Sequence, residues 1–106
     1  MPGIDYQRLR ATISMRQVLQ LLQFEPTSRR GNQLRGRCPL PACQWAARCT
    51  FSVDVGRGIF RCFACRADGN QLDLWALFNR LPLHEAAKSL CHKTHTPIPW
   101  LASRKG

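Results

Sequence analysis

Residues 61–75 read RCFACRADGNQLDLW, which places two cysteines three positions apart, then a charged turn with one glycine, then the start of an apolar helix. Asn70 with Asp73 three residues later is a helix-capping pattern, so we predict that a helix begins at this turn. Its apolar side chains then share one helix face: Leu74, Leu77, Phe78 and Leu81. Cysteines at this spacing are typical of one half of a metal site, so the other half must lie elsewhere in the chain.

A β-hairpin is predicted immediately before this segment. Residues 51–55 alternate apolar and polar side chains, residues 56–58 supply a glycine-rich turn, and residues 59–63 return along the first strand. Residues 33–37 predict a shorter strand, which follows a turn-rich stretch at residues 25–32. We therefore expect a small antiparallel sheet.

Helices are predicted before and after this sheet. Ser14 and Gln17 form a capping-box pattern, which predicts a helix over residues 15–23. Pro82 fits the first turn of a last helix, whose apolar residues recur at helical spacing: Leu83, Ala86, Ala87 and Leu90. The pattern as a whole predicts an α+β fold, a small antiparallel β-sheet flanked by helices.

The second half of the thiol site is predicted at the end of the earlier strand. Cys38 and Cys43 follow residues 33–37, whereas Cys62 and Cys65 lie at the end of the returning hairpin strand. Structural zinc takes four ligands in tetrahedral geometry, and short loops at strand ends can turn both sulfurs of a pair toward one ion. These four thiols are predicted to hold one structural Zn²⁺ in a zinc-ribbon arrangement.

The identity of the second ligand remains open between two cysteines. Cys43 closes a compact loop with Cys38, whereas Cys49 would need a loop of ten residues. Cys91 belongs to the apolar stripe of the last helix, where a cysteine behaves as a small buried hydrophobe. The three histidines are expected at the surface rather than on a metal: His84, His92 and His95.

Charge points to a polyanionic partner. The 106 residues carry 16 lysines and arginines against six acids, a net charge of +10. Thirteen of the basic residues are arginine, whose planar guanidinium matches phosphate oxygens. Residues 29–66 hold eight of these arginines and a single acid, Asp54. Nucleic acid is therefore favoured over an acidic protein or a ribosome-like contact.

Single-stranded nucleic acid is commonly held by a basic track together with aromatic side chains on which bases stack. The candidates for the track are Arg35, Arg37, Arg57, Arg61 and Arg66. The candidates for stacking are Phe60, Phe63 and Trp45, although a phenylalanine in a strand also suits the core. The longest apolar runs are too short for a membrane span, and no secretion signal is visible, so we expect a cytoplasmic protein with reduced thiols.

Five motifs in order resemble the N-terminal zinc-binding domain of bacterial and phage DNA primases. They are GRCP at residues 36–39, FSV at residues 51–53, GIFRCFAC at residues 58–65, GNQLDL at residues 69–74 and LHEAA at residues 83–87. The resemblance covers residues 14–93 and leaves residues 1–13 as an N-terminal extension and residues 94–106 as an extended tail. It implies a Cys-His-Cys-Cys zinc site on a ribbon-like antiparallel sheet that engages single-stranded template during primer initiation.

The chain departs from that family at one ligand. The family's histidine corresponds to Pro41, which has no side chain able to bind metal, so Cys43 or Cys49 must replace it. Four thiolates give the site a formal charge of −2, which lowers the local positive field.

No autonomous enzymatic activity is expected. In the family the polymerase chemistry lies in a separate domain, and the six acids here are scattered rather than clustered around a metal. A zinc ion with four protein ligands has no open position for water. The sequence therefore predicts a zinc-dependent DNA-binding module of a bacterium, phage or mobile element that works with a separate primase or polymerase. The alternative is a zinc-stabilised adaptor that binds a protein or RNA.

Overall fold

The computed structural model describes residues 3–41, 43 and 50–101. This part of the chain forms an α+β fold, as predicted. Its helices are α1 (Tyr6–Thr12), α2 (Met15–Leu21), α3 (Gln71–Asn79) and α4 (Leu83–Lys93). Its strands are β1 (Ser28–Arg30), β2 (Gln33–Gly36), β3 (Phe51–Asp54), β4 (Ile59–Cys62) and β5 (Asp68–Asn70). Among these residues, no helix is both long and apolar enough to cross a membrane.

The strands form one antiparallel sheet in which each strand pairs with the next along the chain. The register places Leu34 opposite Val53 and Val53 opposite Phe60, and all three side chains are buried. Successive side chains of a strand point to opposite faces, so the residues between these three lie on the other face. One face of the sheet therefore packs on the core, and the other carries mainly polar side chains.

Strands β3 and β4 confirm the predicted hairpin, with Phe51 opposite Cys62 and Asp54 opposite Ile59. The sequence predicts a turn over residues 25–32, but the structure has a strand within it. Residues 28–30 form β1, which pairs with β2. All three side chains of β1 are exposed, so the strand has no alternation of polarity that a sequence pattern could reveal.

Both predicted capping boxes are present. Ser14 Oγ accepts a hydrogen bond from Gln17 N at 3.2 Å, and Gln17 Oε1 accepts one from Ser14 N at 2.8 Å. Asn70 Oδ1 accepts hydrogen bonds from Leu72 N and Asp73 N at 2.9 Å each. Asp73 Oδ2 in turn accepts from Asn70 N at 2.9 Å. These bonds satisfy N–H groups that a helix start otherwise leaves without partners, which is why α2 and α3 begin where they do.

A buried glutamine joins α1 to α3. Gln71 is 6% exposed, and its Nε2 donates hydrogen bonds to the carbonyl oxygens of Arg10 at 3.0 Å and Ile13 at 2.8 Å. Carbonyl groups at the end of a helix have no partner within the helix, so a side chain from a neighbouring element stabilises them. The end of α1 is therefore fixed against the start of α3, a contact that no sequence pattern indicated.

The two ends of the described chain pair with each other. Ile4 forms an isolated antiparallel bridge with Trp100. Asp5 N donates to Pro99 O, and Leu101 N donates to Gly3 O, each at 2.7 Å. Residues 3–13 also contribute to the core, where Ile4, Leu9 and Ile13 are buried. The division of the chain into residues 1–13, 14–93 and 94–106 stays a prediction.

Candidate metal centre

The turns after two strands bring four thiols together. Cys38 follows β2, and a turn between Leu40 O and Cys43 N, at 3.1 Å, folds the next thiol back toward it. Cys62 ends β4, and two backbone hydrogen bonds close a tight turn after it: Cys62 N donates to Ala67 O, and Arg66 N donates to Cys62 O, each at 2.8 Å. The ligand atoms of Cys38, Cys43, Cys62 and Cys65 all lie within 4.8 Å of one another.

The spacing of the sulfurs fits one zinc ion. Four sulfurs at about 2.3 Å from a tetrahedral zinc are about 3.8 Å apart, and Cys43 Sγ lies 3.9 Å from Cys62 Sγ. A disulfide would require about 2.05 Å. The four cysteines are therefore positioned to hold one zinc ion, and the first three are buried while Cys65 is partly exposed.

Hydrogen bonds favour the thiolate of Cys62. Burial opposes its ionisation, but the backbone N–H of Cys65, 3.4 Å from Sγ, and the hydroxyl of Thr50, also at 3.4 Å, outweigh burial and lower the pKa of Cys62 to about 6. Thr50 is itself held, because its carbonyl oxygen accepts from Phe63 N at 2.9 Å. Partners of this kind orient a metal ligand and tune its basicity.

The thiols of Cys38 and Cys65 resist ionisation. Burial raises the pKa of Cys38, and the charge of Cys62 raises it further. Burial also raises the pKa of Cys65, with a further contribution from its hydrogen bond to Cys62. Several negative charges in one buried cluster repel each other, so a divalent cation is what allows all four sulfurs to ionise together. The donor set thus suits zinc chemically as well as geometrically.

Cys91 and the three histidines lie apart from this cluster. Cys91 is 1% exposed in α4 and belongs to the apolar core. Within the described part of the chain, the cluster contains cysteines and no histidine. Cys49, the alternative second ligand, lies outside the described residues.

Four of the predicted nucleic-acid-binding arginines lie on or near the exposed face of the sheet, and the fifth lies elsewhere. Arg35, Ser52 and Arg61 face each other across β2, β3 and β4 on the exposed side of the sheet. Arg57 and Arg66 are exposed near the two ends of β4. Arg37 is exposed as well, but it lines a separate hollow beside Cys38. Trp45 lies outside the described residues.

The two phenylalanines in β4 and its turn differ in exposure. Phe60 is 3% exposed and packs on Phe51, with ring centroids 5.7 Å apart. This position suits the core, and the stacking role of Phe60 stays a prediction. Phe63 is 56% exposed, and the guanidinium of Arg61 lies 5.8 Å from its ring centroid.

Two adjoining grooves follow the exposed side of β4. The first, the sheet groove, has a volume of about 500 Å³ and is lined by residues that include Arg57, Arg61 and Phe63. The second, the knuckle groove, has about 390 Å³ and is lined by Arg61, Cys62, Phe63, Arg66 and Asp68. Because the two share Arg61, Phe63 and Asp68, they form one continuous concave surface beside the thiol cluster.

Comparisons with known proteins agree with this geometry. The sequence profile described as CHC2 zinc finger matches residues 4–105. Among solved structures, the zinc-binding and RNA polymerase domains of the Aquifex aeolicus primase align with a TM-score of 0.70 at 23% identity. That alignment covers 91% of this chain and 23% of the solved chain. The comparison with curated proteins gives no match.

The structural alignment with the primase shows that the two chains share a fold, and the profile match shows the family of this chain. The match extends over both the thiol cluster and α1. The chain therefore belongs to the CHC2 zinc finger family.

Proposed function

We propose that this chain is a zinc-dependent nucleic-acid-binding module of DNA primase type, which engages single-stranded template. The observation that carries the proposal is the continuous groove beside the zinc site, with arginines along it and an exposed aromatic ring within it. In this arrangement zinc is structural, because four protein ligands leave no position for a substrate.

The charge of the groove suits a sugar-phosphate backbone. Arg57, Arg61 and Arg66 line it, and they outnumber the two acids there, Asp54 and Asp68. Asp54 is largely engaged within the protein, since its carboxylate accepts from the backbone N–H groups of residues 56 and 57 and from Gln33 Nε2. The side chains that line the groove are therefore net positive before the −2 charge of the adjacent thiolate site is counted.

The exposed ring of Phe63 favours a single strand over a duplex. Bases of a single strand are free to stack on an aromatic side chain, with about 1 to 3 kcal/mol per base. Arg61 lies beside the same ring, where its guanidinium could donate a hydrogen bond to a phosphate next to the stacked base. A duplex presents its bases already stacked, so it would gain only the electrostatic part.

We propose that catalysis is supplied by a polymerase outside these 106 residues. The solved primase contains zinc-binding and RNA polymerase domains, and this chain spans only about a quarter of its length. We place the module in the cytoplasm of a bacterium, or in a phage or mobile element that replicates there.

The double substitution Arg35→Ala with Arg61→Ala tests the proposal. Each lost phosphate contact on a single strand lowers the slope of log K against log salt by about 0.7, so the two together should lower it by about 1.4. At 0.1 M salt this corresponds to about 25-fold weaker binding. Fluorescence anisotropy with a labelled oligothymidylate, on zinc-loaded protein at several salt concentrations, measures both quantities.

A matched control removes the same charge elsewhere. Arg8→Ala with Arg16→Ala takes two exposed arginines from α1 and α2 and should leave the slope nearly unchanged. Equal effects from both pairs of substitutions would show that binding depends on general basic charge and not on the groove. Tighter binding of structured RNA or of an acidic protein than of single-stranded DNA would instead favour the adaptor function.

A further inference from the structure

A third groove continues the sheet groove onto α1, and we infer that it binds the next phosphates of the same single strand, with Arg10 as an additional contact residue. This inference rests on the proposed function. It extends the path of the strand from the zinc site, along β4 and around the β3–β4 turn, to a helix that the sequence analysis assigned to an extension.

The third groove, here called the helix groove, is continuous with the sheet groove. It has a volume of about 380 Å³ and lies between the end of α1 and the turn that joins β3 to β4. Arg10 lines one wall and Arg57 the other. Arg57 and Ile59 line the sheet groove as well, so a bound chain can pass from one groove to the other without leaving the surface.

The charge in the helix groove is more favourable for an anion than that in the sheet groove. Arg10 and Arg57 are its charged residues, and the described residues that line it include no acid. The sheet groove, in contrast, includes Asp54 and Asp68. Arg57 is 79% exposed, and its Nε lies 3.9 Å from Asp54 Oδ2, so its guanidinium remains open to a further partner.

Both walls of the helix groove are held in place by hydrogen bonds. Gln71 Nε2 donates to Arg10 O and Ile13 O, and Gln71 also lines the groove. On the opposite wall, Asp54 Oδ1 accepts from the N–H groups of residues 56 and 57, each at 3.0 Å. Because the two arginines start from fixed backbone positions, a phosphate between them would cost little ordering of the protein backbone.

The lining of the helix groove indicates contact with phosphates rather than bases. It contains no aromatic side chain among the described residues, whereas the sheet groove contains the exposed ring of Phe63. Stacking therefore belongs to the β4 part of the path and charge pairing to the α1 part. The occupant that fits both parts is one extended polynucleotide strand.

Arg10→Gln tests this inference, because glutamine keeps part of the side-chain packing and removes the charge. Oligothymidylates of about 4 to about 16 nucleotides serve as probes, since single-strand sites of this kind span that range. With the long probes we expect the salt slope to fall by about 0.7 and the affinity to fall about fivefold at 0.1 M salt. With the shortest probes, which fill the β4 part first, we expect a smaller loss.

Arg8→Gln, on the same helix but outside the helix groove, is the matched control and should have little effect at any probe length. If Arg10→Gln binds like this control while Arg35→Ala with Arg61→Ala weakens binding, the inference that the helix groove binds the strand is wrong. The proposed function then stands. If zinc-loaded wild-type protein binds no oligothymidylate, both are wrong. Polyglutamate could also displace a long probe from the wild-type protein but not from Arg10→Gln. That result would assign the helix groove to an acidic protein instead.

Discussion

At the scale of single residues, the cluster offers four sulfurs, whereas the resemblance to the family implies three sulfurs and a histidine. Cys43 lies in the cluster with its Sγ 3.9 Å from that of Cys62. Four thiolates around zinc carry more negative charge than three thiolates and an imidazole. The arginines nearby therefore balance the centre before they contribute to any binding field.

Cys43→Ser should reduce the number of sulfur atoms bound to zinc from four to three and weaken zinc binding, because a serine hydroxyl is a poor ligand for this ion. X-ray absorption at the zinc edge counts the sulfurs, and titration with a chelator measures the affinity. Cys91→Ala is the control, since Cys91 is buried in α4 away from the cluster. Four sulfurs in Cys43→Ser would assign the ligand to another thiol, such as Cys49.

The sequence predicted which residue types could bind, but not which side of the sheet each would occupy. Phe60 and Phe63 are three positions apart, so strand alternation alone places them on opposite faces, and the neighbouring buried Val53 decides that Phe60 is the inner one. Gln71 could not be predicted as a buried residue. Its partners, the carbonyl groups of Arg10 and Ile13, lie about sixty positions away in the chain.

At the scale of elements, one glycine of β5 determines how α3 begins. Gly69 has a φ of +145°, and a Cβ at this position would lie 2.5 Å from Asp73 Oδ2 and 2.6 Å from Asp73 Cβ. Asp73 is the capping residue that accepts from Asn70 N. The helix cap therefore requires both the backbone conformation and the empty space that glycine provides.

Gly69→Ala should lower the free energy of unfolding by about 2 to 4 kcal/mol, because it combines backbone strain with loss of the cap. Gly31→Ala is the matched control: its φ of +59° imposes strain, but nothing lies within 4 Å of the added Cβ. We expect the control to cost about 1 kcal/mol. Urea denaturation of the zinc-loaded proteins measures both, and equal losses would show that the contact with Asp73 is unimportant.

Helices and hairpins marked by capping or alternation patterns were predictable, and α1 and β1 were not. The caps at Ser14 and Asn70 and the β3–β4 hairpin follow from residues close in sequence. Pro82 precedes α4 as its N-cap rather than lying within the first turn, a shift of one position at a helix boundary. Strand β1 depends on backbone pairing with β2, and α1 on packing of Leu9 and Ile13 into the core.

At the scale of the whole molecule, the zinc site ties the turn after β2 to the turn after β4. Cys38 and Cys43 come from the first segment, Cys62 and Cys65 from the second, and β3 lies between the two strands in the sheet. The metal therefore closes a loop through the middle of a small domain. In domains of this size, metal binding supplies a substantial part of the folding free energy.

Removal of zinc with a strong chelator should lower the melting temperature markedly. Zinc present at a thousandfold excess over its Kd stabilises the folded state by about 4 kcal/mol, and each kcal/mol corresponds to about 4 °C for a domain of this size. Circular dichroism during heating measures the change, and added Zn²⁺ but not Mg²⁺ should reverse it. An unchanged melting curve, with metal loss verified by elemental analysis, would contradict a structural role for zinc.

The pairing of the chain ends has a mechanical consequence. The segments at residues 3–5 and 99–101 run antiparallel, with Gly3 opposite Leu101 and Asp5 opposite Pro99. A force that pulls residues 3 and 101 apart therefore peels their hydrogen bonds one after the other instead of shearing them together. The ends can separate at low load while the metal-crosslinked sheet keeps its shape, so tethers on either side would not distort the groove.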